Sequence, residues 1–483
     1  MASSAAQGQG MFLGGVKTLE RSGLRRKFVG DRAFYRMVLA VVMPMIIQNG
    51  ITNFVSLLDN IMVGRMGTEP MSGVSIVNQL IFVYNLCIFG GLAGAGIFTA
   101  QYFGRGDERG IRYTFRFKVL LGAALTVLGL GIYHFFGEPL ISLYLSESGD
   151  GGDLALTLQS GLDYLHVMML GLPAFMLVQA YTSTLRECSE TVLPMKAGIT
   201  AVLVNLVFNY LLIYGHAGFP RLGVVGAAVA TVLSRYVEMA IVMIWTHRHL
   251  DKNAWARGAW TSMQVPGDLM RQIAVKGLPL LLNEALWSSA MAFLNQCYSV
   301  RGLSVVAAMN ISSTITNLFN TVFLSMGSAV SILVGQRLGA DDMEGARDTD
   351  NKMIAFSMFL ALCSAAVLIV LAPLFPHLYN TSDSVRSLSA TIMRVFAIFW
   401  PQVAFMNATY FTLRSGGKTI ITFLFDSVFV WVISIPIAFL LSRFTDIPIA
   451  WIIACVQAGD WLKCILGYVL VKKGVWLHNM VAA

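Results

Sequence analysis

Charged residues are scarce in this chain. They make up 12% of its 483 residues, against 56% that are hydrophobic, about half the charge that a soluble domain of this size spreads over its surface. A soluble globular protein is therefore excluded. The net charge of +8 is no nucleic-acid signal, because the basic residues sit in short segments between apolar runs, where they set topology. The six cysteines, Cys87, Cys188, Cys297, Cys363, Cys455 and Cys464, are scattered singly with no CxxC or Cys/His spacing. That pattern supports neither a disulfide framework nor a zinc site. No HExxH, GxSxG or Cys/His couple lies in the apolar runs, so no enzyme is expected. A Walker motif is missing too. Work done by this chain would draw on an ion gradient, with no cofactor. The long tails of a sensor are also absent.

What is present is apolar sequence in runs of about 20 residues, enough to cross a bilayer core of about 30 Å as helix. The runs are continuous rather than alternating, which speaks against a β-barrel. The expectation is an all-α polytopic membrane protein with twelve spans at roughly 37–63, 72–102, 114–136, 157–183, 191–214, 223–246, 272–299, 304–336, 352–375, 388–412, 418–441 and 447–471. Pro44, Pro173, Pro279, Pro401 and Pro436 fall inside spans and predict kinks. Residues 1–33 read as a soluble tail with a basic surface helix around Leu24 to Phe34. The first apolar run is too long for a signal-peptide core.

Basic residues concentrate after the even-numbered spans, as with Arg105, Arg109, Arg112, Arg116 and Lys118, then Arg248, Lys252, Arg257 and Arg271. The tails add Lys17, Arg21, Arg25, Arg26, Lys27, Lys472 and Lys473. The other connections hold one Arg or none (Arg65, Arg221, Arg301, Arg386, Arg443), and the connection after span 3 is acidic, with Glu138, Glu147, Asp150 and Asp153. This asymmetry predicts cytoplasmic termini in a plasma-membrane protein.

The chain also repeats itself. A shift of 235 residues superposes Pro44 on Pro279, Gly67 on Gly302, Gln101 on Gln336, Gly104 on Gly339 and Asp107 on Asp342. A shift of 228 superposes Pro173 on Pro401 and Thr184-Leu185-Arg186 on Thr412-Leu413-Arg414. Two six-helix lobes follow, 34–246 and 271–473, with a linker at 247–270 and a terminal segment at 474–483. Parallel halves of this kind place a substrate path between them. Two lobes on one linker suit the rocking of a transporter acting as a monomer.

Polar groups inside the spans are costly and so informative. Asp59 lies about four helical turns beyond Pro44, with Asn78 at similar depth on span 2 and Asn205 and Asn209 on one face of span 5. One carboxylate among amides is an all-oxygen set, suited to a hard monovalent cation such as sodium or to a shared proton. The alternative for Asp59 is an ion pair with Arg65. Gln48 and Asn49, and Glu284 with Trp287 three residues on, are candidate substrate contacts. A carboxylate beside an aromatic suits a lipophilic cation, the alternative for Glu284 being a helix–helix hydrogen bond. Asp426 has no obvious partner in sequence, though Lys463 is within reach. Asp460 with Lys463 and Arg235 with Glu238 read as internal i,i+3 pairs. Phe54, Tyr84, Phe175, Tyr181, Trp400 and Tyr410 are candidate cavity aromatics. The run GGLAGAGIFTA permits close helix approach, and GRGDERG and GADDMEG read as helix stops and starts.

These features together resemble the multidrug and toxic compound extrusion family. The resemblance rests on the pattern Pro44-x14-Asp59 ending in DNIMVGRMG, on AQYFGRGD, on the second copies GLPLLLNEALW and VGQRLGADD, and on ECSETVLPM with LVNLVFNYLLIYG. It covers about residues 35–475. It implies an antiporter that admits sodium ions or protons and exports small organic, often cationic and lipophilic, compounds. It implies that Asp59 is the cation site of the first lobe. In one branch of the family span 5 brings an asparagine and then an aspartate, and here both positions, Asn205 and Asn209, are amides. In another branch a span 7 glutamate stands farther from the proline than Glu284 does from Pro279. A lipid-linked precursor flippase of the same superfamily is the alternative. It would need a cavity rich in Arg and Lys, whereas Arg235, Arg394 and Lys463 are the basic members read into the spans. No nucleic-acid partner is expected.

Overall fold

The computed structural model describes residues 27–145 and 153–482. Glu147 and Asp150 of the acidic connection, tail residues Lys17, Arg21, Arg25 and Arg26, and the start of the anticipated basic helix at Leu24 lie outside the described residues. The described residues form twelve long helical units, α1 Arg32–Gly64, α2 Thr68–Arg105, α3 Glu108–Ser142, α4 as Leu154–Met169 plus Leu172–Glu187, α5 Val192–Tyr214 and α6 Val224–Arg248 in the first half. The second half holds α7 Gly267–Ser299, α8 Leu303–Gly339, α9 Met343–Leu371, α10 Asp383–Ser415, α11 Thr419–Phe444 and α12 Ile449–Lys473. Ten of these are long and apolar enough to cross a membrane, and the bent pair α4 makes an eleventh. The remaining helix, α7, spans 33 residues and is made more polar by Asn283, Glu284 and the cations Arg271 and Lys276. Side chains such as Leu128, Phe135, Phe359 and Val370 point outward more than half exposed, as a hydrocarbon solvent requires.

Local chemistry sets the ends. Gly106 closes α2 in the left-handed region (φ 75°), and Asp107 caps α3 by accepting from the backbone N–H groups of Arg109 and Gly110. In the second copy Asp342 caps α9 through Gly345 N–H. GRGDERG and GADDMEG are thus a helix stop and start in each half. The prolines divide. Pro173 begins the second part of α4, which is bent by 48° from the first, since proline removes a donor and crowds the preceding turn. Pro436 follows two π-helical turns, Leu424–Val428 and Val430–Ser434. Pro44, Pro279 and Pro401 remain inside continuous helices.

The segment between the lobes is sewn onto α3. Trp255, 3% exposed, packs on Phe115 and Tyr181 at ring separations of 5.0 and 6.3 Å. Arg112 donates to Trp255 O at 3.0 Å, and Arg116 donates to Ala259 O at 3.0 Å and Gly258 O at 2.8 Å. These arginines do more than mark topology. Lys118, read with them as a connection residue, is wholly buried on α3. Tyr84, Tyr181 and Trp400, read as cavity aromatics, are buried in the lobe cores.

The lobes meet at the end of the bundle that carries both chain termini, here the terminal face. Gly94 of α2 lies on Gly277 of α7, so close that a Cβ would fall 2.9 Å from Gly277 N. Gly104 faces the carbonyl of Gln336, and Gly339 faces the carbonyl of Gln101, each too tightly for any side chain. Gln101 Nε2 donates to Ser415 O at 3.0 Å and Gln336 Nε2 to Glu187 O at 2.8 Å. Each contact is the other's repeat mate. The terminal segment adds a strap, with Trp476 fully buried and Met480 N–H donating to Gln101 Oε1 at 2.7 Å. In a background without reactive native thiols, Ser415→Cys, 1% exposed in place of the serine, should resist a water-soluble maleimide. Adding Gly104→Val or Gly339→Val should cost the closed arrangement about 1–3 kcal/mol or more and make that thiol reactive. Gly131→Val, which meets nothing within 4 Å, should leave labelling unchanged.

Candidate functional site

Five helices of the first lobe converge near the face opposite the termini. Asp59, one turn and a half from the end of α1, accepts from Asn209 Nδ2 at 2.7 Å. Asn209 Nδ2 also lies 3.1 Å from Asn205 Oδ1, and Asn205 Nδ2 donates to Thr231 of α6 at 3.2 Å. The spacing of four on α5 stacks the two amides toward the carboxylate, as a helical period dictates. The other side of the Asn205 amide stands 2.9 Å from Asp59 Oδ2. Turning the amide makes that contact a donation. Turned so, its oxygen accepts from Thr231 at 3.2 Å, and the amide meets the carboxylate as a donor. Asn209 Oδ1 is buried without a hydrogen-bond partner, one more oxygen available to a cation. Tyr164 of α4 donates to Asn78 of α2 at 3.3 Å and lies in electrostatic range of Asp59. Arg65 does not pair with Asp59, and no ion pair to Asp59 occurs among the described residues.

The proposed substrate contacts fare differently. Gln48 accepts from Arg186 Nη2 at 2.6 Å, and Asn49 donates across the lobes to Ser325 of α8 at 3.4 Å. Both are engaged with protein. Trp287 is 40% exposed. Glu284 instead faces α2, its Cγ 3.1 Å from where a Cβ of Gly90 would sit. Asp426 rides on the first π-helical turn of α11 and accepts from Asn283 Nδ2 at 3.0 Å. Asn283 also receives Ser427 Oγ at 2.7 Å. Lys463 goes to Asp460 at 3.7 Å rather than to Asp426, and Arg235 pairs with Glu238 at 3.0 Å.

Between the lobes, just inside the closed terminal face, lies a cavity of about 110 Å³. Met45, Ile88, Phe89, Gln179, Ser183, Ser331 and Phe411 line it together with Arg186, Glu187 and Arg414. The sequence reading missed these arginines because it ended spans 4 and 10 at 183 and 412, less than a turn short of each. Their signal was in the repeat itself, which superposes Arg186 on Arg414. Glu187 is taken by Lys118 at 2.5 Å, with Ser183 and Thr184 accepting from the same ammonium at 3.0 and 3.1 Å.

Comparison with known proteins bears on this arrangement. The MatE family model matches residues 44–211 and 279–440, one stretch in each half. The multidrug resistance protein MdtK of Pectobacterium atrosepticum is 26% identical over 435 residues, covering 89% of this chain and 92% of that protein. NorM of Photobacterium profundum, also a multidrug resistance protein, is 24% identical over 435 residues with the same coverage, 89% and 92%. Among solved structures, a multidrug resistance MATE family transporter of the MOP superfamily in an outward-facing conformation superposes with a TM-score of 0.81 at 19% identity. It covers 96% of this chain and 100% of its own. A MOP superfamily transporter from Pyrococcus furiosus superposes with a TM-score of 0.79 at 19% identity, covering 95% and 99%. These structures carry twelve helices in two lobes, the fold found here. None of these names supports a lipid-precursor flippase.

The Lys118–Glu187 pair is exposed by 0% and 13% at its two side chains. Removing one partner of a buried pair leaves an uncompensated charge, a loss of about 3–5 kcal/mol. Lys118→Met alone should therefore lower the thermal unfolding midpoint in detergent sharply. Lys118→Met with Glu187→Leu should recover most of the loss.

Proposed function

The chain belongs to the MatE family of membrane transporters, and on that premise we propose that it is a secondary active antiporter. It exports small organic, lipophilic and often cationic compounds in exchange for sodium ions or protons. One observation carries the reading. Asp59 sits within the helix bundle, ringed by amides and with no cationic partner among the described residues. A carboxylate half-buried inside a helix bundle is costly unless something neutralises it, and a coupling cation or proton does so once per cycle. In this reading the terminal face is cytoplasmic, which the basic connections support, and the protein works as a plasma-membrane monomer.

The cycle is alternating access. Open opposite the termini, Asp59 takes up its cation, and each inward elementary charge adds about 2.3 kcal/mol per 100 mV of potential. Neutralised, the carboxylate tolerates a dry surrounding, and α1, α5 and α6 repack about it. That repacking lowers affinity for the exported compound. The lobes then separate at the terminal face, where the Gly104–Gln336 and Gly339–Gln101 contacts now hold them. Glu284, turned toward α2, is the acid placed to meet a cationic compound, with Gln48, Asn49, Trp287 and Asp426 as further candidate contacts.

Asp59→Asn removes the exchangeable charge while keeping size and hydrogen bonding. In proteoliposomes it should fold, bind an organic cation, and lose export driven by a sodium or proton gradient by at least about a hundredfold, the loss of a coupling near 3 kcal/mol. Export against a gradient at the wild-type rate would show that Asp59 is not the coupling group.

A further inference from the structure

The cavity between the lobes holds two guanidinium groups with no carboxylate at ion-pair distance among the described residues. Arg186 comes from the end of α4 and Arg414 from the end of α10, equivalent positions of the repeat. The Nε of each is buried without a hydrogen-bond partner. Arg186 has only a neutral partner, Gln48 Oε1 at 2.6 Å. Arg414, 9% exposed, lies 5.3 Å over the ring of Phe411. Of the nearby acids, Glu187 is committed to Lys118 at 2.5 Å and Glu238 to Arg235 at 3.0 Å. Glu284 reaches Arg414 only through the field, and the neutral hydroxyl of Tyr410 lies within hydrogen-bonding reach of Arg414. Burying two such charges is expensive unless they are paired. A guanidinium fork is built to take two oxygens of an oxyanion at once.

We propose that Arg186 and Arg414 form a subsite for an acidic group on the exported compound, a carboxylate or another oxyanion. The proposal rests on the reading of this cavity as the transport path. The dimensions fit one end of a molecule. At about 110 Å³ the space is well below the roughly 300–1,000 Å³ of pockets that take a whole drug-sized ligand. The apolar body would lie along Met45, Ile88 and Phe89. Because one arginine comes from each lobe, such a group is held only while the terminal face is closed. Separation of the lobes divides the pair and releases it.

Two dyes that differ at one group test this. Rhodamine B carries a free carboxylate and its methyl ester does not. Binding to the purified, full-length protein is read by fluorescence anisotropy. Arg186→Gln and Arg414→Gln should each weaken rhodamine B by about tenfold or more, the loss of one charge-assisted contact, while the ester stays within about twofold. An acid-to-ester affinity ratio equal in wild type and both variants, or an equal loss of both dyes, would overturn the proposal. Where a glutamine variant does not fold, the lysine variant decides. It keeps the charge and loses the fork, so the ratio must fall, and an unchanged ratio overturns the subsite. Pumping of the ester against an ion gradient is scored separately. Ester pumped with unchanged ratios leaves export standing and removes the subsite, whereas changed ratios without pumping do the reverse.

Discussion

Much of this molecule depends on a close contact of backbone with backbone. Gly104 and Gly339 lie against the carbonyls of Gln336 and Gln101, and the two glutamine side chains reach past each other to the ends of α10 and α4. No side chain fits at either glycine, so the approach of the lobes is set by main-chain van der Waals contact. In a membrane this is a strong constraint, because lipid provides no hydrophobic drive to press helices together and close packing with hydrogen bonds must supply the attraction. The contact is also divisible. It consists of two equivalent halves, each a backbone approach with one glutamine bond across the lobes. The same closure brings the ends of α4 and α10 together and thereby sets Arg186 opposite Arg414 in one cavity.

The first lobe holds the opposite chemistry at the opposite depth. Around Asp59 the neighbours are amides and a tyrosine pair with Asn78, groups that offer partial charges and no formal one. A full cation there would lock the carboxylate in a permanent ion pair. Amides lower the cost of its charge without abolishing it, which leaves the carboxylate responsive to what arrives. The second lobe is not a copy in this respect. Its acid, Asp426, stands on a π-helical turn nearer the terminal face, and such turns shift the register of the side chains after them. Two lobes of common descent in sequence thus present polar groups at different depths.

The architecture was legible because hydrocarbon permits so few solutions. Continuous apolar runs had to be helices, each of the twelve units overlaps its sequence-read span though α3 and α9 begin well before theirs at Glu108 and Met343, and Asp107 and Asp342 cap as their motifs indicate. The facing of Asn205 and Asn209 followed from a spacing of four. Partners across helices were not legible. Nothing in the local pattern ties Gln48 to Arg186, or Asn283 to Asp426, because those pairs form between elements more than a hundred residues apart. The arginine pair was lost for a plainer reason. Hydropathy falls at the first guanidinium, so a span read from apolarity stops before the residue that enters the cavity on the helix's last turn. Lys118 misled in the same way, since a buried cation satisfied by Glu187, Ser183 and Thr184 looks in sequence like a topology signal.

The two sites are joined by one helix. Asp59 and Gln48 are eleven residues apart on α1, about 16 Å along its axis. Gln48 is the side chain that holds Arg186, and Asn49 and Asn53 tie the same helix to Ser325 and Thr321 of α8. Any displacement of α1 on neutralising Asp59 therefore acts on an arginine of the cavity and on the contact between lobes at once. Proximity alone is not coupling; a two-state element that both sites bias is. α1 meets that condition in outline, since the proposed cation acts on its far end and the closed lobe interface on its middle. Exchange then needs no long chain of intermediaries, only a helix that cannot satisfy Asp59, Gln48 and the α8 contacts in the same position in both states.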